Sequence, residues 1–89
     1  MIAAKRWNVE IFLGEQEGRT YAEARLHTGL GDRLVGIGLA KLNPSDLDVP
    51  EIGDELAVAR ALTDLGHRLL IITAGDITQI TGKQAALRS

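Results

Sequence analysis

Two histidines, His27 and His67, are the side chains best suited to metal or proton chemistry in this 89-residue chain, and each stands alone. A transition-metal site recruits its ligands at short, set spacings, such as a second histidine one helical turn away, and neither histidine has one. Both read as solvated surface groups. The acidic residues Asp46, Asp48, Glu51, Asp54 and Glu55 offer oxygens to a hard cation but lack the D-x-D-x-D-G spacing of an EF-hand loop. Helix capping and compensation of the helix dipole account for them. GIGLAK, Gly36 to Lys41, lacks the terminal Gly-Lys-Ser/Thr of a phosphate loop and lies in a strand pattern, where glycine marks close backbone packing. The two serines, Ser45 and Ser89, have no nucleophile-elbow setting. The sequence therefore predicts a non-enzymatic protein: no catalytic residue, no metal site, no cofactor and no small-molecule substrate.

One surface does carry binding chemistry. Strand alternation puts Arg6, Tyr21, Arg25, His27 and Lys41 on the outer face of a sheet, and basic groups beside an aromatic are what phosphate contact and base stacking require. Glu10 and Glu23 dilute that face, and the formal net charge is -2. A mixed surface, solvated or covered by a protein, therefore competes with an RNA-binding one.

Positioning these residues falls to three strands and a helix. KRWNVEIFL, Lys5 to Leu13, alternates with Trp7, Val9, Ile11 and Leu13 on one side, and reads as a half-buried strand. GEQEG, Gly14 to Gly18, predicts a hairpin loop. A second strand runs from Arg19 to Thr28 with Thr20, Ala22, Ala24 and Leu26 inward. GLGD, Gly29 to Asp32, is a turn, and Arg33 to Leu42 is a third strand with Leu34, Gly36, Gly38, Ala40 and Leu42 on one face. NPSD, Asn43 to Asp46, is a further turn, and a long amphipathic helix spans Asp48 to Thr73, with a D-x-x-E capping box at Asp48 and Glu51 and a stop at Gly75. A short helical turn, Ile77 to Thr81, follows it. The fold class is thus α+β: a three-stranded antiparallel meander with one long helix on one face. Residues 1–82 form a single domain and residues 83–89 a flexible tail, since a chain this short supports one core.

The helix carries two apolar seams, which implies two contacts. Val58, Leu62, Leu65, Leu69 and Ile72 are assigned to the sheet, above a floor paved by Ala22, Ala24, Gly36, Gly38 and Ala40. Beside them run Ala59, Thr63, Gly66 and Leu70, assigned to the helix of a second copy. The third strand is apolar on both faces although it lies at an edge, so Val35, Ile37 and Leu39 either join that predicted homodimer interface or are covered by the C-terminal segment folding over the outer face. Arg60 and Asp64 read as an i, i+4 ion pair on the solvated arc. No run approaches the ~20 apolar residues of a membrane span, and MIAAKRWNVE has no signal-peptide core, so a cytoplasmic protein with no membrane partner is expected. The absence of cysteine excludes a disulfide scaffold.

The string N-P-x-D-x-x-V-P-E-I-G-D-E-L-x-V-A-R-A-L, with the upstream W-x-V and the glycine-bounded hairpin, resembles an actinobacterial family of unknown function likened to double-stranded-RNA-binding domains. The resemblance covers Trp7 to Ile77. It implies a small dimeric β-β-β-α protein similar in layout to the second half of ribosome hibernation factors, and hence a stress- or dormancy-associated regulator that binds the ribosome or RNA. The alternative is a protein-interaction or scaffold dimer with no nucleic-acid role.

Overall fold

The computed structural model describes residues 3–30, 33–41 and 50–82. Strands β1 (Asn8–Gln16), β2 (Arg19–His27) and β3 (Arg33–Lys41) form an antiparallel sheet in the order β1-β2-β3, and one helix, α1 (Pro50–Thr81), follows. The expected α+β meander with a long helix is the observed one. Alternation builds β2: Thr20, Ala22, Ala24 and Leu26 are buried and the residues between them are not. The first hairpin is tighter than expected. β1 continues through Gly14 and Glu15 to Gln16, and only Glu17 and Gly18 turn the chain, at φ of 50° and 73°. Positive φ at both centres of a two-residue loop is the type I′ turn, whose twist matches that of paired strands.

α1 lies on β3 and β2 at backbone distance. A Cβ built on Gly36 would stand 2.2 Å from the Ala61 carbonyl oxygen and 2.4 Å from the Leu65 nitrogen. One built on Gly38 would stand 2.1 Å from the Ala57 oxygen and 2.4 Å from the Ala61 nitrogen. The glycine-paved floor is therefore real, but what settles on it differs from the expectation. Ala57, Ala61 and Leu65 face the sheet and are buried with Ala22, Ala24, Leu26 and Ala40. Of the bulky seam, Val58 and Leu69 are only partly buried, while Leu62 and Ile72 remain 45% and 46% exposed. The physical reason is separation. A helix resting on leucines stands about 10 Å off a sheet, whereas glycine opposite alanine lets the two backbones meet.

Helix α1 also runs further than its sequence signals suggested. It passes through Gly75 without a break, so the short turn expected at Ile77 to Thr81 is the last part of α1. Closure falls to Gly82, at φ 70°, whose N–H donates to the Thr78 carbonyl at 2.8 Å. Nothing lies within 4 Å of a Cβ at Gly75. Gly75→Ala is therefore expected to raise stability by about 0.5–1 kcal/mol, and Gly82→Ala to lower it by about 1 kcal/mol, read as opposite shifts in Tm. The turn at Asn43 to Asp46, the end of the turn at Gly29 to Asp32, Leu42, the cap at Asp48 and the tail at Lys83 to Ser89 lie outside the described residues.

Candidate functional site

The strand register fixes which outer-face side chains are neighbours. His27 stands opposite Asn8, Arg25 opposite Glu10 and Val35, Glu23 opposite Phe12 and Ile37, and Tyr21 opposite Gly14 and Leu39. Among the predicted RNA-facing residues, Tyr21, Arg25 and His27 are therefore brought together on one strand. Lys41 sits at the far end of the sheet, across from Arg19, and Arg6 precedes the start of β1. The basic groups in the middle are already engaged. Arg25 pairs with Glu23, Nη2 to Oε2 at 2.8 Å, and lies 3.9 Å above the Phe12 ring, a cation–π contact. His27 Nε2 lies 2.9 Å from Glu10 Oε1. With Arg25 and His27 engaged in this way, the middle of the face has little free positive charge for phosphate, and Arg19 and Lys41 lie at its end. Its remaining surface is apolar: Phe12, Ile37 and Leu39 are all exposed.

Glu23 also accepts a short hydrogen bond from the Tyr21 hydroxyl. That bond, with Arg25 beside it, holds the Glu23 carboxyl below its ordinary value, and the same bond raises the Tyr21 phenol. A lowered carboxyl contributes stability above its unfolded value of 4.5 that is lost as pH falls through the folded value. A raised phenol contributes below 10.0 and loses that contribution as pH rises through its folded value. The chain has one tyrosine, so absorbance at 295 nm reads Tyr21 alone. Its ionisation is expected above 10.0 and, in Glu23→Gln, closer to 10.0.

The predicted dimer positions fall on opposite sides of the molecule. Val35, Ile37 and Leu39 are on the sheet face turned away from α1, whereas Ala59, Thr63 and Gly66 are exposed on the helix face turned away from the sheet. Leu70 is partly buried. Thr63 gives its hydroxyl to the Ala59 carbonyl of its own helix, at 2.9 Å. The solvated pair expected between Arg60 and Asp64 is also rearranged: Asp64 pairs with Arg68 at 2.9 Å, and both Arg60 and Asp64 reach the edge of β3.

An uncovered apolar trough is the feature that sequence reasoning missed. β1 was expected to be half-buried, yet every residue of it is exposed, because α1 covers β3 and β2 and stops short of β1. Val9, Ile11 and Leu13 stand opposite the core residues Leu26, Ala24 and Ala22, on the helix side of the sheet. At roughly 100° per residue, Val58, Leu62 and Leu69 project from the flank of α1 opposite to Arg60 and Asp64. Since Arg60 and Asp64 mark the β3 side, the bulky seam faces the β1 side. Trp7, 57% exposed, continues the line of Val9 and Ile11 toward the same end. The available sequence signal was Ala57, Ala61 and Leu65 at i, i+4 and i+8 facing Gly36-x-Gly38, which puts the helix over β3.

Among the described residues there is no cluster of three or more potential metal ligands, and no helix is long and apolar enough to cross a membrane. The model of the Rv2632c-like family matches residues 5–86. Uncharacterised protein MT1780 of Mycobacterium tuberculosis (strain CDC 1551 / Oshkosh) is 53% identical over 93% of this chain and 87% of its own. Uncharacterised protein Rv2632c of M. tuberculosis (strain ATCC 25618 / H37Rv) is 46% identical over 86% of this chain and 82% of its own. A crystal structure of Rv2632c superposes with a TM-score of 0.83 at 43% identity, covering 92% of this chain and 96% of that one.

Proposed function

Since this chain belongs to the Rv2632c-like family, of which Rv2632c shares its fold, we propose that it is a non-enzymatic protein-interaction module that works as a homodimer. The observation that carries this reading is the trough between β1 and the bulky flank of α1. Trp7, Val9, Leu13 and Leu62 are all more than two-fifths exposed. Contiguous apolar surface of this kind marks an interaction site in a soluble domain. A second β1, antiparallel and centred on Ile11, would set Val9 against Leu13 and Glu10 against Phe12, with no like charges opposed. The core adds a second argument: among the described residues, five of the seven buried apolar side chains are alanines, so this part of a lone copy hides little large hydrocarbon.

The ribosome or RNA reading draws on Tyr21, Arg25 and His27 sharing one face. It is the weaker of the two, because Arg25 and His27 would first have to leave Glu23 and Glu10. Sedimentation equilibrium is expected to give twice the chain mass at micromolar concentration, and a co-purified partner is expected to survive nuclease and added salt. A monomer across that range would remove the dimer. Capture that vanishes with nuclease or falls steeply with salt would restore the RNA reading.

A further inference from the structure

β3 ends the sheet, yet two of its outward backbone groups are already bonded. The Ile37 N–H donates to Asp64 Oδ2 at 2.8 Å, and Arg60 Nη1 donates to the Leu39 carbonyl at 2.6 Å. Both bonds come from α1, one turn apart. Arg68 Nε donates to the same Asp64 oxygen at 2.9 Å and holds the carboxylate in place. In an antiparallel strand the N–H and C=O of one residue point to the same side, and residues two apart share that side. An incoming strand would therefore need the two groups that Asp64 and Arg60 already occupy.

The other edge has no such cover. With Ile37 and Leu39 turned outward, Gly36 and Gly38 bond Ala24 and Ala22 of β2, so Tyr21, Glu23 and Arg25 bond β1 through Gly14, Phe12 and Glu10. Val9, Ile11 and Leu13 are left with backbone groups pointing outward, and among the described residues no side chain bonds them.

We propose that Arg60, Asp64 and Arg68 form a latch that seals β3 against strand addition, so that β1 is the single strand-accepting edge and its occupant is the β1 of a second copy. The latch makes assembly self-limiting. Two open edges pair head to tail and grow without closing, whereas one open edge is used up when two copies meet. The choice of β1 as acceptor rests on the dimer reading above, but the sealing of β3 does not.

Two measurements test it. In the intact protein, amide exchange by NMR should be at least about 10-fold slower at Ile37 than at Val35, which also points outward, as expected for a bond to a charged acceptor. The Arg60→Ala/Asp64→Ala variant, with its helical circular dichroism retained, should sediment as species larger than the wild type, with mass rising with concentration. Adding Ile11→Pro, which removes an outward N–H and no ladder bond, should abolish that growth. Equal exchange at Ile37 and Val35 overturns the latch, as does a folded variant of unchanged mass at every concentration. If the variant does not fold, the Ile37 comparison in the wild type decides alone. A monomeric wild type with a slow Ile37 amide sinks only the dimer, and the latch survives it.

Discussion

Gly38→Ala is expected to destabilise the domain by about 3 kcal/mol or more, at the upper end of what overpacking does to a core. The added methyl would stand 2.1 Å from the Ala57 carbonyl oxygen and 2.4 Å from the Ala61 nitrogen, both backbone atoms of an intact helix that cannot rotate away. The helix must lift, and lifting it opens the contacts of Ala57 and Ala61 at the same time. A domain of this size holds roughly 5–10 kcal/mol in total, so the loss is a large fraction of its stability. Thermal unfolding followed at 222 nm should show a Tm lower by about 15 °C. A Tm within a few degrees of the wild type would mean that the backbones do not touch as described.

Leu65→Ala should cost about 2–4 kcal/mol, because Leu65 is the one large side chain among the described residues that α1 buries in the core and its removal leaves a void beside Gly36. Leu62→Ala, on the exposed flank, should cost a lone chain less than about 1 kcal/mol. The comparison separates the two roles of the helix. Measured by urea unfolding at low protein concentration, where a dimer dissociates, only Leu65→Ala should shift the midpoint strongly. Measured by sedimentation, Leu62→Ala should weaken self-association. Equal unfolding costs for the two leucines would contradict the assignment of faces.

The strands and the existence of one long helix were legible because each rests on local rules. Period-two alternation identified the inward face of β2 residue by residue, and Gly36 and Gly38 announced a close approach. Sequence reasoning failed where identity had to be converted into distance. Leu62 and Ile72 looked like natural core residues, but with glycine on the strand the helix sits so low that Ala57 and Ala61 fill the contact beside Leu65, while Leu62 is turned to the flank and Ile72 lies beyond the contact. Gly75 looked like a stop, yet it has helix on both sides, since one glycine costs a helix only about 1 kcal/mol. The roles of Arg60 and Asp64 were not legible at all. Their i, i+4 spacing suits an ion pair, and only the placement of α1 over β3 turns them toward the backbone of the strand.

The helix and the sheet differ in length. Thirty-two residues of α1 extend about 48 Å at 1.5 Å per residue, whereas nine-residue strands extend about 30 Å. The turns beyond Leu69 project past the platform, with Ile71, Ile77 and Ile80 exposed. Among the described residues of α1, none beyond Leu65 is buried in the core and Leu69 is the last packed against it, so ellipticity and tertiary structure are separate reporters in this protein. Loss of helical signal in the last turns is fraying, and only the part of the transition shared with the β2 and β3 contacts measures the cooperative unit.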